Sequence, residues 1–261
     1  MQIKNNLYEA IVSHQLKLQV DVSFQSHYRF MLQENLDKAK VVADFGTGKG
    51  YFLAQLAKNY PDIQFYGIDS NPERIAFAKQ NHPLKNISWI HADVGQLSNF
   101  AFLQMADGII MRYFLLHFQK IQSLLSNLFL SIKPKTCLWI IDLDLNAFFC
   151  RPYHPGFHIL KKLVEEYCKK YSGSLAATSI TPLLKHAGFT IRNTIIDRFT
   201  IQEIRRDLFV KFLEQEALLY YFHLKNTFDS KEIDEIRKFL KILSSDKYFV
   251  QYAISMISAK K

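Results

Sequence analysis

The stretch Val41-Val42-Ala43-Asp44-Phe45-Gly46-Thr47-Gly48-Lys49-Gly50 joins a β-branched and aromatic run to a glycine-rich turn. A helical pattern follows over 51–59. A turn of this kind lets backbone N–H groups approach a polar or anionic ligand at the positive end of the following helix. Gly46, Gly48 and Gly50 stand in a GxGxG spacing. The GxGxxG of dinucleotide folds places its third glycine one residue later, which speaks against a nicotinamide oxidoreductase.

Working outward, short β-branched or aromatic runs alternate with helical periods. Strands are predicted at 41–45, 64–69, 87–91, 108–111, 138–142, 189–199 and 249–257. Helices are predicted at 51–59, 72–82, 119–131, 157–171, 181–188, 201–225 and 230–243. Alternating strands and helices make βαβ units and a parallel sheet. Asn71-Pro72 supplies a cap and a first-turn proline, and Lys133-Pro134-Lys135 stops the helix before the fifth strand. Further breaks are read at Ser172-Gly173-Ser174 and over 226–230. The pattern predicts an α/β fold, a doubly wound Rossmann-like seven-stranded sheet, mostly parallel with an antiparallel last strand. The chain divides into a helical N-terminal segment (1–40), a core (41–200), a helical cap inserted between the last two strands (201–245) and the final strand (246–261).

Composition agrees with a globular chain of 261 residues, 49% apolar and 22% charged. A net charge of +9 favours acidic partners, whether nucleic acid, phosphorylated substrates or an anionic surface, although the basic residues are scattered. Cys137, Cys150 and Cys168 form no CxxC pair and read as reduced thiols, two of them in or near the core. No signal peptide and no membrane span are read, so the expected setting is cytoplasmic, as a monomer or homodimer.

Two more acidic residues end strands beside the loop. Asp69 lies about 20 residues beyond the first turn, where a carboxylate can clasp a ribose diol. Asp93 ends the next strand, where it can accept from an adenine amino group. Ligands of open α/β sheets bind outside the carboxyl ends of the strands, where all of these residues fall.

Residues 41–145 resemble the core of the class I S-adenosylmethionine-dependent methyltransferases. The opening stretch resembles that family's first motif, Phe65-Tyr66-Gly67-Ile68-Asp69 its second and His91-Ala92-Asp93-Val94 its third. Ala106-Asp107-Gly108-Ile109-Ile110-Met111-Arg112 resembles the fourth, and 128–142 the fifth. Leu183-Leu184-Lys185-His186-Ala187-Gly188-Phe189 resembles a passage of the small-molecule branch. Lys49 stands where Thr or Ser is more usual. The resemblance implies S-adenosylmethionine as cofactor. Asp44, Gly46, Thr47, Gly48 and Gly50 then form the loop that holds its methionine portion, Asp69 with Ser70 holds the ribose, and Asp93 with Val94 the adenine. Arg112 stands beside the reactive methyl. Arg29, in the N-terminal helix, is a candidate partner for the methionine carboxylate or else a solvated arginine.

Methyl transfer from a sulfonium asks the protein to align a nucleophile and, where needed, to take its proton. His117 is the candidate base, with packing or helix capping as the structural alternative. Tyr113 either contacts substrate or packs. Tyr153, His154 and His158 follow the fifth strand and are expected to rim the substrate pocket. Asp142, Asp144 and Asn146 resemble the metal-binding strand end of catechol methyltransferases. Arg112 occupies the place of the carboxylate those enzymes need after the fourth strand, so no metal is expected.

Motifs for amino-group methylation of DNA bases or glutamine, for C5-cytosine chemistry and for arginine methylation are absent from the sequence. The remaining reading is methyl transfer to O or N of a small-molecule acceptor. The alternatives are an RNA methyltransferase and a non-catalytic cofactor-binding or scaffolding protein. Leu208, Phe209, Phe212, Leu213, Leu218, Leu219, Tyr220 and Phe222 make 201–225 too apolar for a solvated helix. That helix is core, dimer interface or lid.

Overall fold

The computed structural model describes residues 2–97, 100–171, 177–224, 228–243, 245 and 247–261. The break read at Ser172-Gly173-Ser174 lies outside the described residues, as do residues 226–227 of the break read over 226–230.

Among the described residues eight strands form one sheet: β1 (Val41–Phe45), β2 (Gln64–Asp69), β3 (Ile87–His91), β4 (Gly108–Arg112), β5 (Cys137–Leu143), β6 (Phe149–Arg151), β7 (Thr190–Thr200) and β8 (Phe249–Lys260). Their order is β3-β2-β1-β4-β5-β8-β6, with β7 also paired to β8. Strands β1 to β5 are mutually parallel, and β8 runs antiparallel between β5 and β7. The predicted fold is borne out, with one addition. The three-residue β6 pairs with the start of β8 beyond the end of β5, giving an eighth strand that period alone is too short to reveal.

Burial follows the sequence texture. Every residue of β5 is buried, as a continuous apolar run between two neighbouring strands requires. β7 alternates exposed and half-buried residues over most of its length, the pattern of a sheet edge with one wet face.

Helices α2 (Tyr51–Asn59), α3 (Pro72–Asn81) and α4 (Ile121–Ser131) connect the parallel strands. Asn71 caps α3 as predicted, accepting from the N–H groups of Glu73 and Arg74. The N-terminal segment is one long helix, α1 (Gln2–Gln33). After β6 come α5 (Pro155–Tyr171) and α6 (Ala177–His186). The insertion between β7 and β8 holds α7 (Arg206–Leu224) and α8 (Ser230–Ile242), the latter opened by a capping box of Asp229 and Glu232.

α7 buries Phe209, Phe212, Leu213, Glu216, Ala217, Tyr220 and Leu224, a stripe at three- and four-residue spacing. It packs along α1 and α5. Phe209, Phe212, Leu213, Ala217, Tyr220 and Leu224 all join the main core, so the buried stripe of this helix is core along its length. Among the described residues no helix is long and apolar enough to cross a membrane.

Candidate active site

β1 sits where the strand order turns, with β2 on one side and β4 on the other. The crevice outside the carboxyl ends of these strands opens into a cavity of about 400 Å³. Asp44, Gly46, Thr47, Gly48, Asp69, Ser70, Asp93, Val94, Arg112, Tyr113 and His117 all line it.

The glycine loop is bound tightly to the end of β2. Gly46 and Thr47 donate their N–H groups to Ile68 O at 2.8 and 2.9 Å, and Gly48 N–H donates to Asp69 Oδ2 at 2.9 Å. Asp69 Oδ1 accepts from Asn71 N–H at 2.9 Å. The expectation that the loop offers N–H donors to an anion is therefore corrected: the protein itself uses the N–H groups of Gly46, Thr47 and Gly48. Gly50 does not line the cavity. It turns the chain into α2 with φ +78°, and a Cβ there would lie 2.5 Å from the Trp89 ring. Gly46, at φ +72°, meets Phe114 equally closely.

Beneath the loop, Asp44 is buried, and its carboxyl is pushed up to about 7 by that burial, against the Thr47 hydroxyl and Arg112. The Arg112 guanidinium lies between the rings of Phe52 and Tyr113, 4.7 and 4.8 Å from their centroids. It donates to His27 Nδ1 at 3.1 Å and to Ser23 Oγ at 3.4 Å. Burial and then Arg112 hold the His27 ring well below its usual pKa, hence neutral and able to accept. Tyr113 has φ +49°, a left-handed conformation that bulky residues rarely adopt and that clusters at functional sites.

These features fit S-adenosylmethionine. Its sulfonium and ammonium groups are cations, and the cavity supplies Asp44 and Asp69 near a loop whose amide donors are largely spent. Its carboxylate is an anion, and Arg112 supplies a guanidinium without a carboxylate bonded to it. A pyrophosphate would need the amide donors that Ile68 and Asp69 have taken.

His117 is solvent-exposed where it lines the cavity. Its Nδ1 is 3.0 Å from the Tyr167 hydroxyl of α5. Desolvation by the surrounding cavity walls, then Arg74 and His223, lower its pKa to about 4, so the ring is neutral near pH 7. Tyr113 is buried, and burial raises its hydroxyl pKa far above the ordinary value, which keeps the proton on it.

Several expected contacts are not made. Arg29 is exposed on α1 and does not line the cavity; the guanidinium groups that do are those of Arg74 and Arg112, both half-buried. Tyr153 is 73% exposed, His158 is exposed, and His154 packs against Phe239 and Tyr248. None of the three rims the cavity. The start of α5 is pinned to α8, where a Cβ on Gly156 would lie 2.2 Å from Glu235 O, and α5 reaches the cavity with its far end, Tyr167 and Tyr171. Asp142 accepts from the N–H groups of Leu116 and Leu143, and Asp144 from Asn146 N–H and the Ser255 hydroxyl. Both act as local braces.

Sequence reasoning missed the opposite wall. α1 contributes Tyr8, Val12, Gln15, Leu16 and Gln19, spaced for one helical face. α7 adds Leu219, Tyr220 and His223. His223 bonds both Tyr8 and Tyr171 through its two ring nitrogens, at 2.9 and 3.1 Å. Lys49, the departure from the usual loop, donates to Glu9 O at 3.2 Å, and Glu9 also pairs with Arg74 at 3.7 Å, tying α1 to the loop and α3. No amphipathic period of α1 signals this wall in the sequence, and its docking partners are distant along the chain.

Comparison with known proteins agrees with this geometry. A family model described as a methyltransferase domain matches residues 36–226. A tRNA (guanine-N(7)-)-methyltransferase of Pediococcus pentosaceus is 32% identical over 78 residues, 29% of this chain and 35% of that protein. The chain thus matches about a third of such curated relatives' length. A Bacillus halodurans protein assigned as a methyltransferase superposes with TM-score 0.58 at 18% identity, covering 91% of this chain and 99% of the other. Phosphoethanolamine N-methyltransferase 2 of Haemonchus contortus, solved with S-adenosyl-L-methionine, gives TM-score 0.53 at 17% identity over 85% of this chain and 48% of that one. With the family match spanning most of its length, the chain belongs to the methyltransferase-domain family.

Proposed function

We propose that this protein transfers the methyl group of S-adenosylmethionine to an oxygen or nitrogen of a small-molecule acceptor, in the cytoplasm, as a monomer or homodimer. One observation carries the reading: the strand-end residues Asp44, Asp69 and Asp93 and the histidine His117 line the same cavity. When bound, the cofactor supplies an electrophilic methyl on sulfur. Asp69 holds the ribose, Asp93 and Val94 the adenine, and Arg112 the methionine carboxylate. His117 acts as the base. With Nδ1–H donated to the Tyr167 oxygen, Nε2 keeps its lone pair for the acceptor's proton. Tyr167 is then a positioning residue that fixes this tautomer. Helices α1, α5 and α7 close over the acceptor end, which suits a small molecule better than a base within a folded RNA.

The curated tRNA-modifying relatives and the +9 charge favour a second reading, methylation of RNA. Methyl-labelled cofactor separates the two. With the protein, a bacterial extract passed through a small-molecule filter, and total tRNA, label is expected in the small-molecule fraction. Label in tRNA that falls steeply with salt would support the RNA reading instead. Label in neither fraction would point to a binder without activity.

A further inference from the structure

Between α1 and α7 one wall of the cavity carries a polar cluster that the assigned roles leave unused. Glu216 lies in the buried stripe of α7 and is 1% exposed. The side-chain amides of Gln15 and Gln19, both buried residues of the cavity wall, donate to Glu216 Oε1, the Gln19 bond at 3.3 Å. An amide that donates to a carboxylate turns its own oxygen elsewhere, because the flipped amide would set two acceptors against each other. Gln15 Oε1, Gln19 Oε1 and Glu216 Oε2 are all buried without a hydrogen-bond partner. The Tyr220 hydroxyl acts on Glu216 as a hydrogen-bond donor, so the fold offers one donor to these three oxygens, and each oxygen left without one is costly.

The surroundings say what kind of donor. The groups that act on Glu216 are Tyr220, Gln19 and Gln15, none of them cationic. Arg74, a guanidinium that lines the same cavity, is paired with Glu9. The rings of Tyr167 and Tyr220 lie 4.6 Å apart between centroids, and aromatic faces carry partial negative charge. Burial alone pushes the Glu216 carboxyl up to about 7, so a cation beside it would favour the ionised form.

We propose that the Gln15–Gln19–Glu216 cluster recognises the methyl acceptor and that this acceptor is an amine, its N–H groups donating to the three oxygens and its apolar part lying on the tyrosine rings. The proposal rests on the methyl-transfer reading and narrows its substrate class. The recognised nitrogen is an anchor; it sets the molecule in the cavity, and the cluster transfers no proton to the reacting atom.

The test is calorimetry on the full chain saturated with S-adenosylhomocysteine, using benzylamine, benzyl alcohol, benzoate and benzyltrimethylammonium as probes. Benzylamine is expected to bind about tenfold or more tighter than the other three. The quaternary probe keeps the charge but has no N–H, so it separates hydrogen bonding from attraction to the rings. Glu216→Gln, which keeps the shape and removes the charge, and Gln19→Met should erase the preference for benzylamine while leaving S-adenosylhomocysteine affinity unchanged. If Gln19→Met does not fold, Glu216→Gln decides. Equal benzylamine binding by wild type and Glu216→Gln, a preference for alcohol or carboxylate, or no probe binding to the loaded protein would each overturn the proposal. Failure of the wild type to take up S-adenosylhomocysteine would instead sink the methyl-transfer reading on which it rests.

Discussion

At the carboxyl ends of β1 to β4 the cavity is walled by loops held through backbone bonds, such as those of Gly46 and Thr47 to Ile68 O. Its opposite wall is made of side chains from α1, α5 and α7, joined by the Tyr8–His223–Tyr171 and Gln15–Glu216–Gln19 contacts. The first wall is fixed by local geometry, so it serves a cofactor of constant shape. The second depends on side-chain identity, so it can be retuned for one acceptor without disturbing the sheet. Under the proposed function, fold and cofactor lie on one side and the acceptor on the other, as separable properties.

Substitutions can break that separation, and the largest effect is expected on the loop side. Gly50→Val forces a β-branched residue to φ +78° with its Cβ against Trp89. A loss of about 4 kcal/mol in unfolding free energy, read by denaturant titration, combines backbone strain with overpacking. A stable variant would show that the loop tolerates rearrangement and that the rigid wall is not rigid.

Smaller, and confined to chemistry, is the effect expected at His117. His117→Ala should reduce turnover roughly 10²-fold with cofactor affinity unchanged. Because desolvation at the cavity lowers the pKa of His117 to about 4, wild-type turnover should hold as pH falls to about 5 and decline only near 4. Unchanged turnover with a lower melting temperature would return His117 to packing.

The acceptor wall should also show a cost of burial. Glu216 has a folded pKa raised to about 7, above its value in the unfolded chain. The unfolded state therefore releases its proton first, and wild-type stability falls as pH rises from about 4.5 to about 7. Glu216→Gln has no such proton, so its stability relative to wild type should improve across that window by roughly 3 kcal/mol or less. A pH-independent difference would mean that Glu216 is ionised and well paired throughout.

The same contrast explains what was legible in the sequence. The glycine loop, Asp69 and Asp93 sit at strand ends a few residues from recognisable periods, so a local reading places them. Even there the direction of the amides was misread, because Ile68 O is a partner that only β1–β2 pairing supplies. Glu216 and Gln15 are some 200 positions apart, and no local period relates them. Glu214 and Glu216 both stand inside the run 208–222, and only the packing of α7 shows that Glu216 is the buried one. Tyr153, His154 and His158 were placed at the cavity by following the chain from β5, but α5 reaches the cavity at Tyr167 and Tyr171 instead.

The central claim, that the strand-end wall holds S-adenosylmethionine, is tested most directly by calorimetry on wild type and Asp69→Ala. Truncation removes the acceptor for the ribose hydroxyls and releases the N–H groups of Gly48 and Asn71. Wild type should bind, and the variant should bind about 2–3 kcal/mol more weakly. Equal affinities for the two proteins, or no binding by wild type, would contradict the account.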